Sequence, residues 1–330
     1  MKKVGGRQIC LFIAAILLLL AVIPTWLWAR IRSDFVEQTA AERWRGRNPA
    51  RFAQVTAFLD ESVGLEPVQE YEIRQNLETE MAGETEEAWI LALSGFGTVT
   101  VSNDEEQVSV RGICTAGSYS QFHPIRMVTG AWYDPKDVNQ DGVVLDMQLA
   151  WRLFGGYDLK GFSIWVNGVP VQITGVVRLP ENKIEQDIYG DTPTIWFSVG
   201  LMERLGLDVP ITCVETVLPN PVSRFAENKL SKALGVSNDY SDFVENTGRF
   251  GFVKSLLTYL HPDSRVIRTS RVTYPYWENS ARVAESRCGF YAAMVIMLLL
   301  FPAGVILYWL FKGFGLLRSS GKSLIRRISR

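Results

Sequence analysis

Two long apolar runs constrain this chain more than any other feature: Ile9 to Ala29 and Gly289 to Phe311. As a helix, each is about long enough to cross a hydrocarbon core roughly 30 Å thick. A helix satisfies its own backbone hydrogen bonds, so it is the form such a run takes in lipid. For the first run a cleavable signal peptide is the competing reading, with an apolar region of about 7–15 residues ending at small side chains. This run is longer and ends Trp26-Leu27-Trp28-Ala29-Arg30, so an uncleaved anchor is expected. Trp26 and Trp28 fit an aromatic belt at the membrane edge. Pro302 predicts a kink in the second run, with neighbouring helices or water satisfying the freed carbonyl.

The charges are segregated around these runs. Lys2, Lys3 and Arg7 precede the first, and six basic residues with no acid follow the second, from Lys312 to Arg330. The formal net charge is −1, so the rest of the chain carries −10. Basic flanks stay on the cytoplasmic side, which predicts both termini cytoplasmic. Arg282 and Arg287 oppose that rule but are outnumbered. The expected layout is a basic N-terminus (1–8), a first span (9–29), an extracytoplasmic domain (30–288), a second span (289–311) and a basic tail (312–330). An acidic outer domain repels phosphate, so nucleic acid is excluded as its partner.

Within the outer domain, Gly142 to Val177 is the best-defined unit. Val143 to Leu145 reads as a buried strand. Asp146 stands where an N-cap belongs. Met147, Ala150, Trp151 and Phe154 follow at helical spacing as the packing face. Gly155-Gly156 stops that helix. Phe162, Ile164 and Val166 alternate, Asn167-Gly168 predicts a tight hairpin turn, and Val169, Val171 and Ile173 return. Elsewhere, Val36, Ala40 and Trp44 suggest that the first helix continues outward. Asn48-Pro49 predicts a helix start, with Phe52, Val55 and Leu59 on its core side. Tyr71 to Met81 reads as a helix, and Trp89 to Leu93 leans to helix. Val99/Val101 and Val108/Val110 form a hairpin about Asn103-Asp104. Leu179 to Asp191 reads as a charged loop. Thr194 to Phe197 and Ile211 to Leu218 are strands, with a short helix from Ser198 to Leu205. A second helix carries Val222, Phe225, Ala226, Leu230 and Ala233 and is closed by Gly235. Strands alternating with helices and hairpins predict an α+β domain.

The order strand, short helix, hairpin resembles the periplasmic core domain of MacB-type ABC-transporter permeases. The resemblance rests on Gly142 to Val177 and on the lead Thr129-Gly130-Ala131-Trp132-Tyr133-Asp134-Pro135-Lys136-Asp137. It is good from about Val99 to Phe197 and looser to about Leu260. It implies a permease-type membrane subunit that couples an external domain to a cytoplasmic ATPase. The usual four spans are two here. A homo-oligomer or a companion permease is therefore expected, because two helices do not enclose a path.

The chain offers little catalytic chemistry. Asp137-Val138-Asn139-Gln140-Asp141-Gly142 matches the start of a calcium loop, but its twelfth position is Gln148 rather than a bidentate Glu. A polar turn before a strand is the plainer reading. Gly321-Lys322-Ser323 echoes the end of a phosphate loop, yet Leu316 replaces its first glycine. His123 and His261 each precede proline and read as loop residues. Asp242 and Glu245 read as a solvated face. No catalytic, cofactor-binding or metal-ligating residue is assigned. Cys10 and Cys288 read as apolar fillers. Cys114 and Cys213 fall in predicted strands, where an oxidising exterior permits a bridge, though spacing alone does not show that they meet.

In the tail, Leu317, Leu324, Ile325 and Ile328 share one helical face, with Arg318, Lys322, Arg326 and Arg327 around it. Anchoring to anionic lipid and docking to a partner both fit. The expectation is a permease-like subunit working with a separate ATPase. The alternative is a membrane-anchored sensing or scaffolding module.

Overall fold

The structure is a computed structural model that describes residues 6–82, 89–134, 141–260 and 272–328, with side chains to residue 312. In chain order the helices are α1 (Gly6–Asp34), α2 (Ala40–Arg45), α3 (Gln69–Glu80), α4 (Tyr119–Phe122), α5 (Met147–Phe154), α6 (Lys183–Tyr189), α7 (Val199–Arg204), α8 (Phe225–Leu234), α9 (Phe252–Leu260) and α10 (Tyr276–Ile328). The strands are β1 (Phe52–Leu59), β2 (Ile90–Ser102), β3 (Gln107–Gly117), β4 (Met127–Gly130), β5 (Gly142–Asp146), β6 (Ser163–Val166), β7 (Val169–Val177), β8 (Thr194–Ser198), β9 (Ile211–Pro219) and β10 (Ser241–Glu245). The chain divides into two compact units. One is Phe35–Arg249 with Val266–Val283, and the other is Met1–Asp34 with Phe250–Arg265 and Ala284–Arg330.

The first unit is an α+β domain on a single mixed sheet, ordered β10-β1-β9-β2-β3-β8-β5-β7-β4. The short β6 pairs with both β7 and β2, which closes β2-β3-β8-β5-β7-β6 into a ring. Val99, Val101, Val110, Ile164, Ile173 and Phe197 belong to the apolar cluster that fills it. The filling is tight at Gly112. A Cβ there would collide with Val99 and come within 3.2 Å of the Phe197 ring. The β6–β7 turn is the expected one: Asn167 and Gly168 take φ of 47° and 81°, and Val166 pairs with Val169.

Asp146 caps α5 as expected, accepting from Leu149 N at 2.7 Å. Its other oxygen accepts from Tyr189 Oη at 2.7 Å and Thr194 N at 2.8 Å, tying α6 and β8 to the same residue. Burial raises this carboxyl above its usual range despite its donors. The packing face of α5 differs from the expected one. Leu149, Ala150 and Leu153 are buried, whereas Trp151 is 60% exposed. The cap sets where the helix starts but not how it rolls on the sheet, and the roll buries the aliphatic side.

Further expectations are corrected. Phe52 to Leu59 is strand β1, not a helix, and Asn48 Oδ1 accepts from Ala50 N in a local turn. Seven of its eight residues are buried. A strand covered on both faces loses the alternation that identifies strands. For the same reason Trp89 to Leu93 falls largely in β2 rather than in a helix. The stretch Leu179 to Asp191 contains α6, capped by Asn182 Oδ1 accepting from Glu185 N. The first helix stops at Asp34. Phe35 breaks it, and a short 3-10 turn precedes α2. In α8, Ala226, Leu230 and Ala233 are buried as expected, while Val222 lies ahead of the helix and is exposed.

The second unit contains α1, α9 and the part of α10 from Ala284 onward. Both α1 and the Tyr276–Lys312 part of α10 are long and apolar enough to cross a membrane. Most of their apolar surface is uncovered by protein, Phe12, Leu19, Met297 and Leu300 among it. The two run antiparallel. The Arg7 guanidinium lies 4.2 Å from the Trp309 ring near one end. Near the other end, Trp28 Nε1 donates to the Phe250 carbonyl at 3.1 Å.

Candidate functional site

The α+β domain has two apolar clusters, one on each face of its central strands. Cys114 and Cys213 belong to different clusters. Strand β2 lies between them, with Gly95 paired to Cys114 and Ser94 to Cys213. They are free thiols and do not form a bridge. Burial pushes the Cys114 thiol up to about 12 and raises Cys213 too.

The face bearing Cys213 also carries Phe58, Val217, Ile90, Ala92 and Ile113. Two stretches of chain that lead toward the apolar helices pack on it: Ala40 and Ala41 from one, Val272 and Trp277 from the other. The first stretch is pinned by Gln54 of β1. That amide donates to the Glu37 carbonyl at 2.8 Å and accepts from Ala40 N at 2.9 Å. Arg43 donates to the carbonyls of Gln121 and Phe122.

His123 stands between the two stretches. It follows α4 and precedes Pro124, which holds its backbone extended, with φ −110° and ψ 91°. The loop placement was legible in the sequence, but the burial was not. Nε2 lies 2.6 Å from Glu215 Oε2, and Nδ1 makes a looser 3.4 Å contact with Glu37 Oε1. The ring stacks on Tyr119 at 4.3 Å and meets Trp277 at 4.4 Å. Burial by itself would lower the imidazole pKa. Glu215 and Glu37 outweigh it and push the group up to about 10. One imidazolium thus touches the first stretch through Glu37, the sheet through Glu215 and the second stretch through Trp277. A signal existed in the sequence: Glu215 is the lone acid in the strand ITCVETVLP. A carboxylate buried there needs a cationic partner.

The second stretch has a further anchor. Arg249 forms a bidentate pair with Glu278, at 2.7 and 2.9 Å, and both side chains are buried. Arg282 reaches the same carboxylate at 2.7 Å and Asp242 at 3.1 Å. Tyr274 Oη also donates to Asp242, at 2.7 Å. Asp242 is therefore part of a charge network and not of a solvated face, as expected above. The arrangement has the chemistry of a mechanical joint: planar, charge-assisted contacts that fix orientation.

The other sequence candidates stay apart from this joint. Residues 137–140 of the calcium-like stretch, and His261, lie outside the described residues. Asp141 and Gly142 border a cleft of about 330 Å³ with Trp132, Lys160, Gln172 and Thr174. Gln148 sits in α5 with its amide near the Gly190 carbonyl. Among the described residues no group of three or more His, Cys, Asp or Glu side chains is placed to hold a metal ion. The backbone at Gly321-Lys322-Ser323 is helical and does not form a phosphate-cradling loop.

The molecule is thus an α+β domain whose chain enters and leaves toward two apolar, span-length helices. No protein-family model matches the chain. It is similar to the macrolide export ATP-binding/permease protein MacB of Neisseria gonorrhoeae, 25% identical over 157 residues, covering 46% of this chain and 24% of the relative. MacB of Pasteurella multocida is 25% identical over 162 residues, covering 47% and 23%. The chain therefore spans about a quarter of the length of these relatives. Among solved structures, the periplasmic region of MacB from Actinobacillus actinomycetemcomitans aligns with a TM-score of 0.43 at 13% identity, covering 59% of this chain and 89% of that one. The extracellular domain of a noncanonic ABC-type transporter, YknZ, from Gram-positive bacteria aligns with a TM-score of 0.41 at 12% identity, covering 58% and 99%. The chain carries a MacB-like core domain.

Proposed function

We propose that this protein is the membrane subunit of an ABC-transporter-type assembly and works with a separate cytoplasmic ATPase. The observation that carries the reading is the joint at His123, where both stretches leading toward the apolar helices are fixed to one face of the MacB-like domain. Both stretches are thereby held to each other as well as to the sheet, within the α+β unit. The sequence similarity to MacB supports the same reading. In it the domain is extracytoplasmic and both termini are cytoplasmic. The antiparallel helices and the basic flanks support that topology. A second copy or a companion permease completes the path.

The tail is the proposed contact with the ATPase, through Leu317, Leu324, Ile325 and Ile328. Crosslinking in native cells followed by purification should recover an ABC ATPase. Leu324→Ser with Ile325→Ser should abolish that recovery while leaving membrane insertion intact. Arg326→Gln with Arg327→Gln should mainly weaken lipid association, in a salt-dependent way. If no ATPase is recovered with the unmodified protein, the coupling is wrong and a sensing or scaffolding module takes its place. An impermeant thiol reagent should label a cysteine placed at Asn182 in intact cells but not one at Ser329. Labelling at Ser329 would overturn the topology.

A further inference from the structure

Helix α9 is amphipathic in an unusual way. Its polar residues Lys254, Ser255 and Thr258 occupy one narrow arc, and all its other residues are apolar. At 100° per residue the apolar arc is wider than the part that packs. One edge of it packs within the unit of apolar helices. Phe252 meets the Trp28 ring edge-on at 5.9 Å. Tyr259 and the Ser255 carbonyl lie against Gly289, where an added Cβ would come within 2.8 Å of both. Tyr259 also meets Phe290 at 6.4 Å. The other edge, Val253, Leu257 and Leu260 at i, i+4 and i+7, is exposed, with Leu257 52% accessible. Thr258 satisfies its hydroxyl on the Lys254 carbonyl at 2.7 Å.

We infer that α9 lies in the membrane interface, with Val253, Leu257 and Leu260 sunk among the acyl chains of the leaflet beside Trp28. The inference rests on the reading of α1 and α10 as spans. Three observations choose lipid over a protein partner. Tyr259, on the packing edge, meets Phe290, itself exposed on α10, so the helix joins the surface that the spans turn to lipid. The helix sits at the Trp28 end of the antiparallel pair, opposite Arg7, where interfacial aromatics collect. With Leu257 and Leu260 on one side and Lys254 and Thr258 on another, it has the two-sided character of helices that lie in the plane of the interface. The consequence is a third membrane contact, which resists tilting of the two spans about their common long axis.

The test uses the full chain in lipid nanodiscs, with Cys10→Ser as background. Single cysteines replace Leu257, Thr258, Leu19 and Trp151, and each is labelled with an environment-sensitive fluorophore. Lipids carrying a nitroxide near the headgroup should quench Leu257→Cys more than lipids carrying it at the acyl-chain end. Aqueous iodide should barely affect that site, and Thr258→Cys and Trp151→Cys should respond to iodide instead. Leu19→Cys should be quenched by the deep nitroxide. Iodide quenching at Leu257→Cys with normal lipid quenching at Leu19→Cys overturns the interfacial helix and leaves the spans standing. Loss of lipid quenching at Leu19→Cys sinks the span reading itself. Shielding of Leu257→Cys from both quenchers means that a protein surface covers α9, which also overturns the inference.

Discussion

His123 and Glu215 form a buried ion pair, Nε2 to Oε2 at 2.6 Å, in which each side chain comes from a different layer of the domain. Removing one partner leaves the other charge without compensation in a site closed to water. Glu215→Leu is expected to cost about 3–5 kcal/mol. The double variant His123→Phe with Glu215→Leu should recover part of that loss, because no orphan charge remains. Chemical denaturation of the detergent-solubilised protein reads both. Equal destabilisation by the single and double variants would show that packing, not charge, holds the joint.

The same pair makes stability depend on pH. The folded pKa of His123 is about 10 against an ordinary 6.5, so the native state holds its proton more tightly than the unfolded chain. The contribution is complete below pH 6.5 and is lost as pH rises toward 10. The buried thiols, whose ordinary value is 9.0, take part only at higher pH. Between pH 6.5 and 8.5 the melting temperature should therefore fall in the native protein. His123→Gln should remove most of that slope. An unchanged slope in the variant would assign it to other groups.

Helix α5 separates buried from exposed positions sharply. Leu149 is fully buried and Trp151 is 60% exposed. Leu149→Ala should cost about 2–5 kcal/mol through lost contacts and a cavity. Trp151→Asp should stay within about 0.5 kcal/mol, as surface changes do. Thermal melting that ranks the two the other way would mean that α5 is rolled differently on the sheet.

Two glycines should fail for different reasons. At Gly168 an added Cβ meets nothing within 4 Å, but φ is 81°, so Gly168→Ala should cost about 1–2 kcal/mol through the backbone alone. At Gly112 the Cβ would strike Val99, so Gly112→Ala should cost about 1–3 kcal/mol through overpacking. Val99→Ala should rescue the second and not the first. Rescue of both would show that the hairpin turn couples to the ring filling.

Cys114 and Cys213 should stay reduced under oxidising conditions. They lie in different clusters, with β2 between their strands. Their raised thiol pKa values keep the reactive thiolate scarce. A maleimide reagent of known mass should modify them only after denaturation, as mass spectrometry would read. A peptide joining the two by a disulfide would contradict the strand order.

Local chemistry was legible in Gly142 to Val177, though not at Asn48, which makes a local turn rather than a helix cap, nor at Asn182, which caps α6. Asp146 caps α5, Gly155 closes it at φ 65°, and Asn167-Gly168 turns β6 into β7. The α+β class followed from the same signals. The two apolar runs inside α1 and α10 needed no tertiary information either, because about 20 consecutive apolar residues are visible in the sequence itself. Strands β1 and the start of β2 were not legible. Each is buried on both faces, which erases the alternating pattern that marks a strand.

The amino-acid order alone determined the cap and turns of Gly142 to Val177, the two apolar runs and the segregation of charge around them. Tertiary structure alone decided which distant residues meet. The pairing of β6 with β2 closes the ring of strands. Folding brings Glu37, His123, Glu215 and Trp277, scattered over the chain, to one joint. It makes Asp242, which reads as a solvated face in the sequence, a partner of Arg282. The physical reason is that a buried charge is tolerable only beside its counter-charge. Residue type shows that a partner is needed, and only the packing of the sheet shows which one arrives.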